Sequence, residues 1–162
     1  LVIEYQTGIV ALCMDENGYP TSADDRVEMA SSLIDTLTSA DVPLDRIYID
    51  PAVFPISTDV TTGQAVLQSI SEILHRYPGV HVTCGLSNVS FGLPVRSLLN
   101  STFLALAMCK GLDAVIADPC NAQLMAVLKA SEALLGYDEY CMSYLDAHRS
   151  GQLEPEKPVA VA

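Results

Sequence analysis

Apolar positions along the chain fall into two kinds of run that take turns. Short, near-continuous runs stand at Ile9–Cys13 (IVALC), Ile47–Ile49 (IYI), Val80–Cys84 (VHVTC) and Ala114–Ala117 (AVIA). Each is short and carries β-branched residues, which predicts four strands. Between them the apolar residues recur every three to four positions. Val27, Ala30, Leu33, Ile34 and Leu37 share one helical face, as do Val66, Ile70, Ile73 and Leu74. Leu99, Phe103 and Leu106 repeat the pattern, followed by Leu124, Val127, Leu128 and Leu135, and a last helix is expected over Tyr137–Arg149. Ser22 with Asp25 three residues later forms a capping-box start, and Gly79, Gly111 and Gly136 stand where helices would stop. Leu1–Tyr5 reads as the end of a helix that stops at Gly8, so the chain is expected to open inside a longer one.

Apolar strands alternating with amphipathic helices predict parallel β/α units, with the strands covered on both sides. About four such units occupy residues 1–150, and a tail with Pro155 and Pro158 occupies 151–162. A closed barrel needs eight units and typically about 250 residues. On periodicity alone, an open doubly wound sheet is the other α/β solution.

Composition narrows the class. Of 162 residues, 50% are hydrophobic and 17% charged, which excludes a disordered chain. The net charge of −12 argues against a phosphate-tracking groove, so no nucleic-acid partner is expected. The apolar runs fall short of the roughly 20 residues that span a bilayer, and no basic start precedes an apolar core, so neither membrane nor signal peptide is expected. Five cysteines without a C-x-x-C pair suit free thiols in a reducing, cytoplasmic setting. They lack metal-ligand spacing, so no tightly bound metal is expected, and Cys13 and Cys84 read as small core residues. His75 falls at a helix C-terminus, His148 in the last helix and His81 within a strand, which makes all three poor catalytic candidates.

The polar chemistry gathers at the strand ends, as Asp15, Asp50, Asn88 and Asp118. In parallel α/β folds ligands bind at that edge. Asp15 opens the turn-like Asp15-Glu16-Asn17-Gly18 and is read as a turn residue. Asp118 is either a cap or a site residue. Asp50–Thr61 and Gly85–Pro94 are longer than a cap requires, and loops of that length on this edge tend to carry function.

Three segments, IYIDPAVFPISTD (47–59), CGLSNVSFGLPVRSLLNSTFLALAM (84–108) and GLDAVIADP (111–119), closely resemble the pterin-binding methyltransferases that use methyltetrahydrofolate and a corrinoid protein. The resemblance covers about residues 1–150. It implies an α/β fold that is the C-terminal half of a TIM (β/α)₈ barrel, strands five to eight, with the family's other pterin-binding Asp and Asn on strands absent here. It also implies that methyltetrahydrofolate is the substrate, that its N5 methyl passes to Co(I) of a corrinoid (cobalamin) carried by a partner protein, and that the full-length form is a homodimer. The fragment alone is then expected to be inactive.

Residue by residue, the resemblance makes Asn88 the catalytic group, hydrogen-bonded to N5, because an amide both donates and accepts. Asp50 would accept two hydrogen bonds from adjacent pterin N–H groups. Arg96 would reach the carboxylates of the benzoyl-glutamate tail, or else be an ordinary first-turn surface arginine. Phe91 would line the site or serve packing. Val95 and Ser97 receive no role. Dihydropteroate synthases are less similar, since their last strand carries R-x-H where this chain has AVIADPC. An aldolase-type phosphate barrel lacks support, because Asp118-Pro119-Cys120-Asn121 is not glycine-rich and Lys110, Lys129 and Lys157 are poorly placed for a Schiff base. A non-catalytic half-barrel that pairs with its own copy is the remaining alternative.

Overall fold

A computed structural model describes residues 1–16 and 18–153. A short helix α1 (Val2–Tyr5) leads into β1 (Ile9–Leu12), followed by α2 (Ala23–Ser39), β2 (Ile47–Asp50), α3 (Thr62–Arg76), β3 (His81–Val82), α4 (Arg96–Cys109), α5 (Ala122–Leu134) and α6 (Met142–Arg149). The three strands form a parallel sheet in the order β1-β2-β3, with Ile9 opposite Ile47 and Tyr48 opposite His81. No helix among the described residues is long and apolar enough to cross a membrane.

The helices close as their termini dictate. Ser22 and Asp25 form the reciprocal capping box that starts α2, satisfying two backbone donors at once. Gly79, Gly111 and Gly136 all take positive φ, the backbone geometry that ends a helix cheaply only at glycine. At the first helix the turn falls earlier than expected. Gln6, not Gly8, adopts the left-handed conformation that ends α1. Gly8 instead leaves room for the Tyr48 ring, which would lie 3.2 Å from an added Cβ.

The core lies on one side of the sheet. Cys13, Ile47, Ile49, Val82 and Cys84 are fully buried against Val27, Ala30 and Ile34 of α2, Val66, Ile70 and Ile73 of α3, and Phe103, Leu104 and Ala107 of α4. Alternate strand residues point to the opposite face, which no helix among the described residues covers. Val10 and Leu12 are exposed there, and Tyr48 and Asp50 only half-buried. The expectation of strands covered on both sides is therefore corrected, and β1 alternates between buried and open positions.

Three further expectations are corrected. AVIA (114–117) is not a regular strand. Its one parallel bridge, Gly85 to Ile116, is to the segment after β3, with Ile116 N–H donating to the Cys84 carbonyl at 2.9 Å and Leu86 N–H to the Ile116 carbonyl at 3.1 Å. Ala114 N–H reaches β3 itself at the Val82 carbonyl, 3.3 Å away. Just before it, the Asp113 carboxylate accepts the Val82 N–H at 3.0 Å, a place that a strand carbonyl would otherwise fill. The final helix is also shorter than Tyr137–Arg149, because Tyr140 and Cys141 take positive φ and the regular helix begins at Met142. Leu106, placed on the buried face of α4 by its spacing, is half exposed. The expected tail lies outside the described residues from 154 onward.

Candidate functional site

Asp50 is the last residue of β2, and its side chain lies on the open face of the sheet. One carboxylate oxygen accepts the Ala52 N–H at 2.9 Å. That bond bends the chain sharply, and Ala52 sits at φ 59, buried. A non-glycine residue in this region costs on the order of 1 kcal/mol, so the surroundings must hold it there. Burial pushes the Asp50 pKa above the usual carboxylate range, while the Ala52 and Gly85 N–H groups pull it back.

What holds Ala52 is Arg26, a residue of α2 with no solvent exposure. Its Nε donates to the Pro51 carbonyl at 2.9 Å and its Nη1 to the Ser22 carbonyl at 2.8 Å. Its Nη2 donates to the Ala52 carbonyl and the Thr62 hydroxyl, both at 3.3 Å. The Phe54 ring lies 6.0 Å from the guanidinium carbon. None of the ion pairs among the described residues includes Arg26. Burial lowers its pKa, but a guanidinium stays charged at any neutral pH. The charge is therefore met at contact by carbonyl and hydroxyl oxygens, with the Asp25 and Asp59 carboxylates acting on it from beyond hydrogen-bonding distance. Arg26 occupies the same helical face as Ala30, Leu33 and Leu37, and its place on that apolar stripe is the one signal in the sequence that it is buried. Sequence reasoning missed it.

The second loop begins at Gly85, after β3. Residues Leu86–Ser90 form a tight 3₁₀ turn, and Asn88 stands exposed within it. A Cβ at Gly85 would lie 3.2 Å from the Asn88 Nδ2, so glycine lets the amide settle against the backbone. No side-chain hydrogen bond holds that amide among the described residues. Gly85 is thus close to both candidates: its N–H lowers the Asp50 pKa, and its backbone leaves room for the Asn88 amide.

Arg96 opens α4 and folds back over this loop. Its Nη2 donates to the Ser87 carbonyl at 2.7 Å, its Nε to the buried Ser90 hydroxyl at 3.0 Å, and its guanidinium carbon lies 5.8 Å from the Phe91 ring. Nη1 has no partner among the described residues. Phe91 is itself 64% exposed, with its carbonyl accepting the Ser57 hydroxyl at 2.8 Å. The Ile56 N–H donates to the Val89 carbonyl at 3.0 Å, so the two loops are tied together. Val95, immediately before Arg96, takes φ 51, an outlying conformation for a β-branched residue.

The other strand-end residues take local roles. Asp15 forms the backbone-paired turn with Gly18. Asp118 accepts the Cys120 N–H at 2.9 Å, which makes it a turn residue, and Asn121 caps α5 while pairing with Ser97. A hollow of about 810 Å³ lies beside Ser97, Asp118, Cys120 and Asn121, and neither Asp50 nor Asn88 lines it. Cys13 and Cys84 are fully buried, as expected of core residues, and burial with the nearby Asp50 charge pushes both thiols to about 12. His81 stacks on Tyr48 and pairs with Asp113, at the opposite end of the strands from the loops.

The edge therefore presents a half-buried carboxylate acceptor on one loop and an uncommitted amide on the next, each loop held by an arginine. Comparison with known proteins gives that arrangement a context. The family described as pterin binding enzyme matches residues 1–118. The methylcorrinoid:tetrahydrofolate methyltransferase of Eubacterium limosum is 37% identical over 150 residues, covering 91% of this chain and 54% of that protein. Methionine synthases of Mycobacterium tuberculosis and Mycobacterium leprae are each 39% identical over 123 residues, 72% of this chain and 10% of theirs. The chain spans about half the length of the first relative and a tenth of the other two. Matched over most of its length, the chain belongs to the pterin-binding enzyme family.

Proposed function

We propose that this chain is half of a TIM-barrel methyltransferase that moves a methyl group from N5 of methyltetrahydrofolate to Co(I) of a corrinoid protein. The uncovered sheet face supports the half-barrel reading, because barrel strands turn one face to their helices and the other to an interior layer. The missing strands would supply that layer and the family's other pterin ligands. The observation that carries the activity is the placing of Asp50 and Asn88 on two loops of one edge, which the Ile56 N–H ties together through the Val89 carbonyl.

Each residue then has a chemical task. Asp50, ionised, accepts hydrogen bonds from adjacent N–H groups of the pterin ring, with one of its oxygens already fixed by Ala52. Asn88 bonds N5. Co(I) of the substrate supplies the electron pair of the new Co–CH₃ bond as the N5–CH₃ bond breaks with its pair left on N5, which takes up a proton from solvent. The amide donates to N5 before that proton arrives and accepts from N5–H afterwards. Arg96 has Nη1 to offer the carboxylates of the benzoyl-glutamate tail, while Phe91 supplies an exposed ring beside it. The corrinoid arrives as a substrate on its own protein. The same contacts serve the return direction, which the name of the Eubacterium limosum relative describes, because both directions share a transition state.

Full-length protein should bind methyltetrahydrofolate in a calorimetric titration, and Asp50→Asn should weaken that binding about 10-fold or more with the fold unchanged. Equal affinity in the two proteins would count against the assignment. Homodimerisation of the full-length form is a further expectation, checked by light scattering.

A further inference from the structure

We propose that Arg26 is a positioning residue of the pterin site, acting through the Pro51–Ala52 backbone to hold the Asp50 carboxylate in its binding orientation. The inference rests on the role proposed for Asp50. Arg26 stands on a helix that contributes no other residue to the site.

The geometry is a relay of two peptide groups. Ala52 N–H donates to Asp50, and the Ala52 carbonyl accepts from Arg26 Nη2. Pro51, between them, gives its carbonyl to Nε. The left-handed Ala52 is thus gripped on both sides, one grip being the very bond that orients the carboxylate. A planar guanidinium suits this task, since its fixed fork reaches two successive carbonyls while Nη1 anchors to the Ser22 carbonyl at the start of α2. A lysine has the charge but not the fork. Its loss of grip would let Ala52 relax toward negative φ and swing its N–H away from Asp50.

Titration of Asp50 reports that movement without any ligand. The charged and titratable groups facing this region are Cys13 at the end of β1, Cys84 after β3, Arg26 on α2 and, beyond the guanidinium, Asp25 and Asp59. Both thiols are neutral at ordinary pH, so the changing variable is the Ala52 hydrogen bond. Its weakening raises the carboxyl pKa, because an N–H donor favours the charged form.

The test compares wild type, Arg26→Lys and Arg26→Lys/Ala52→Gly in full-length protein. Arg26→Lys should raise KM for methyltetrahydrofolate about tenfold with kcat at saturation nearly unchanged. The added glycine, which enters the left-handed region freely, should recover much of that loss. In parallel, ¹³C-carboxyl NMR of Asp50 should show its titration moved upward in Arg26→Lys and back toward wild type in the double variant. An Asp50 titration unchanged by Arg26→Lys would overturn the proposal, whether or not the pterin binds. So would a KM loss that Ala52→Gly leaves in place. If wild type binds no methyltetrahydrofolate while the carboxyl titration still moves, the relay stands and the proposed substrate falls.

Discussion

The loops after β2 and β3 solve the same problem with different materials. Each presents a polar candidate, each is followed or bent by a non-glycine residue at positive φ (Ala52 and Val95), and each is gripped by an arginine that donates to its backbone. In the first loop the arginine is buried, comes from a different helix and uses its whole fork on the protein. In the second it is exposed, comes from the helix that the loop itself enters, and leaves Nη1 uncommitted. The difference separates scaffold from contact. A buried guanidinium whose nitrogens are all taken by the protein can do little but fix geometry, whereas an exposed one with a spare nitrogen can still meet a ligand.

That contrast is sharpest in stability. Arg26→Met should destabilise the protein by about 2–4 kcal/mol, since it leaves buried carbonyls without a strong donor. Arg96→Met should cost only about 0.5–1 kcal/mol, since its bonds are replaced by water. Urea titrations of the two variants compare them directly, and similar losses would erase the distinction.

Binding should show the next effect. Asp50→Asn turns an acceptor into a donor facing the pterin's own N–H groups, for a loss of about 1–3 kcal/mol in affinity. Protonation does the same thing reversibly. Because burial raises the Asp50 pKa, methyltetrahydrofolate affinity should be full above that pKa and fall as the pH drops through it, above the usual carboxylate range. Titration calorimetry across pH checks the sign, and a pH-independent affinity would remove Asp50 from the site. Arg96→Met should lower the same affinity by about 1 kcal/mol, more for substrate bearing the glutamate carboxylates than for a truncated pterin, whereas equal losses for both would make Arg96 a loop clamp alone.

The smallest change is steric. Gly85 has φ −74, so alanine is acceptable to the backbone, and the effect of Gly85→Ala should fall on Asn88. Stability should hold while methyl transfer slows several-fold, because a displacement of a few tenths of an ångström at a reacting group is felt in rate. An unaltered rate would show that the Asn88 amide need not rest where Gly85 allows it.

Most of the scaffold was legible in the apolar spacing. Three strands, the long helices, the Ser22–Asp25 cap and three terminating glycines all stand where local rules place them, because each depends on neighbours in sequence. AVIA was misread because a strand is defined by its partner's backbone, and here Asp113 takes part of the ladder. The uncovered sheet face was missed for a related reason, since apolar residues at Val10 and Leu12 read as buried whether or not anything covers them. At the site, Asp50 and Asn88 were visible as polar residues ending apolar runs. Arg26 was not, because a charge on a helix reads as solvated unless its position on the stripe is weighed above its polarity.

The central claim is that the loop edge joining Asp50 and Asn88 carries out methyl transfer, and single-turnover kinetics of Asn88→Ala in full-length protein test it most directly. With methyltetrahydrofolate and a reduced corrinoid protein, the transfer rate should fall by about 10²–10³, the usual cost of one transition-state hydrogen bond, while the unfolding midpoint stays that of wild type. A normally folded Asn88→Ala protein that transfers the methyl group at the wild-type rate would contradict the account.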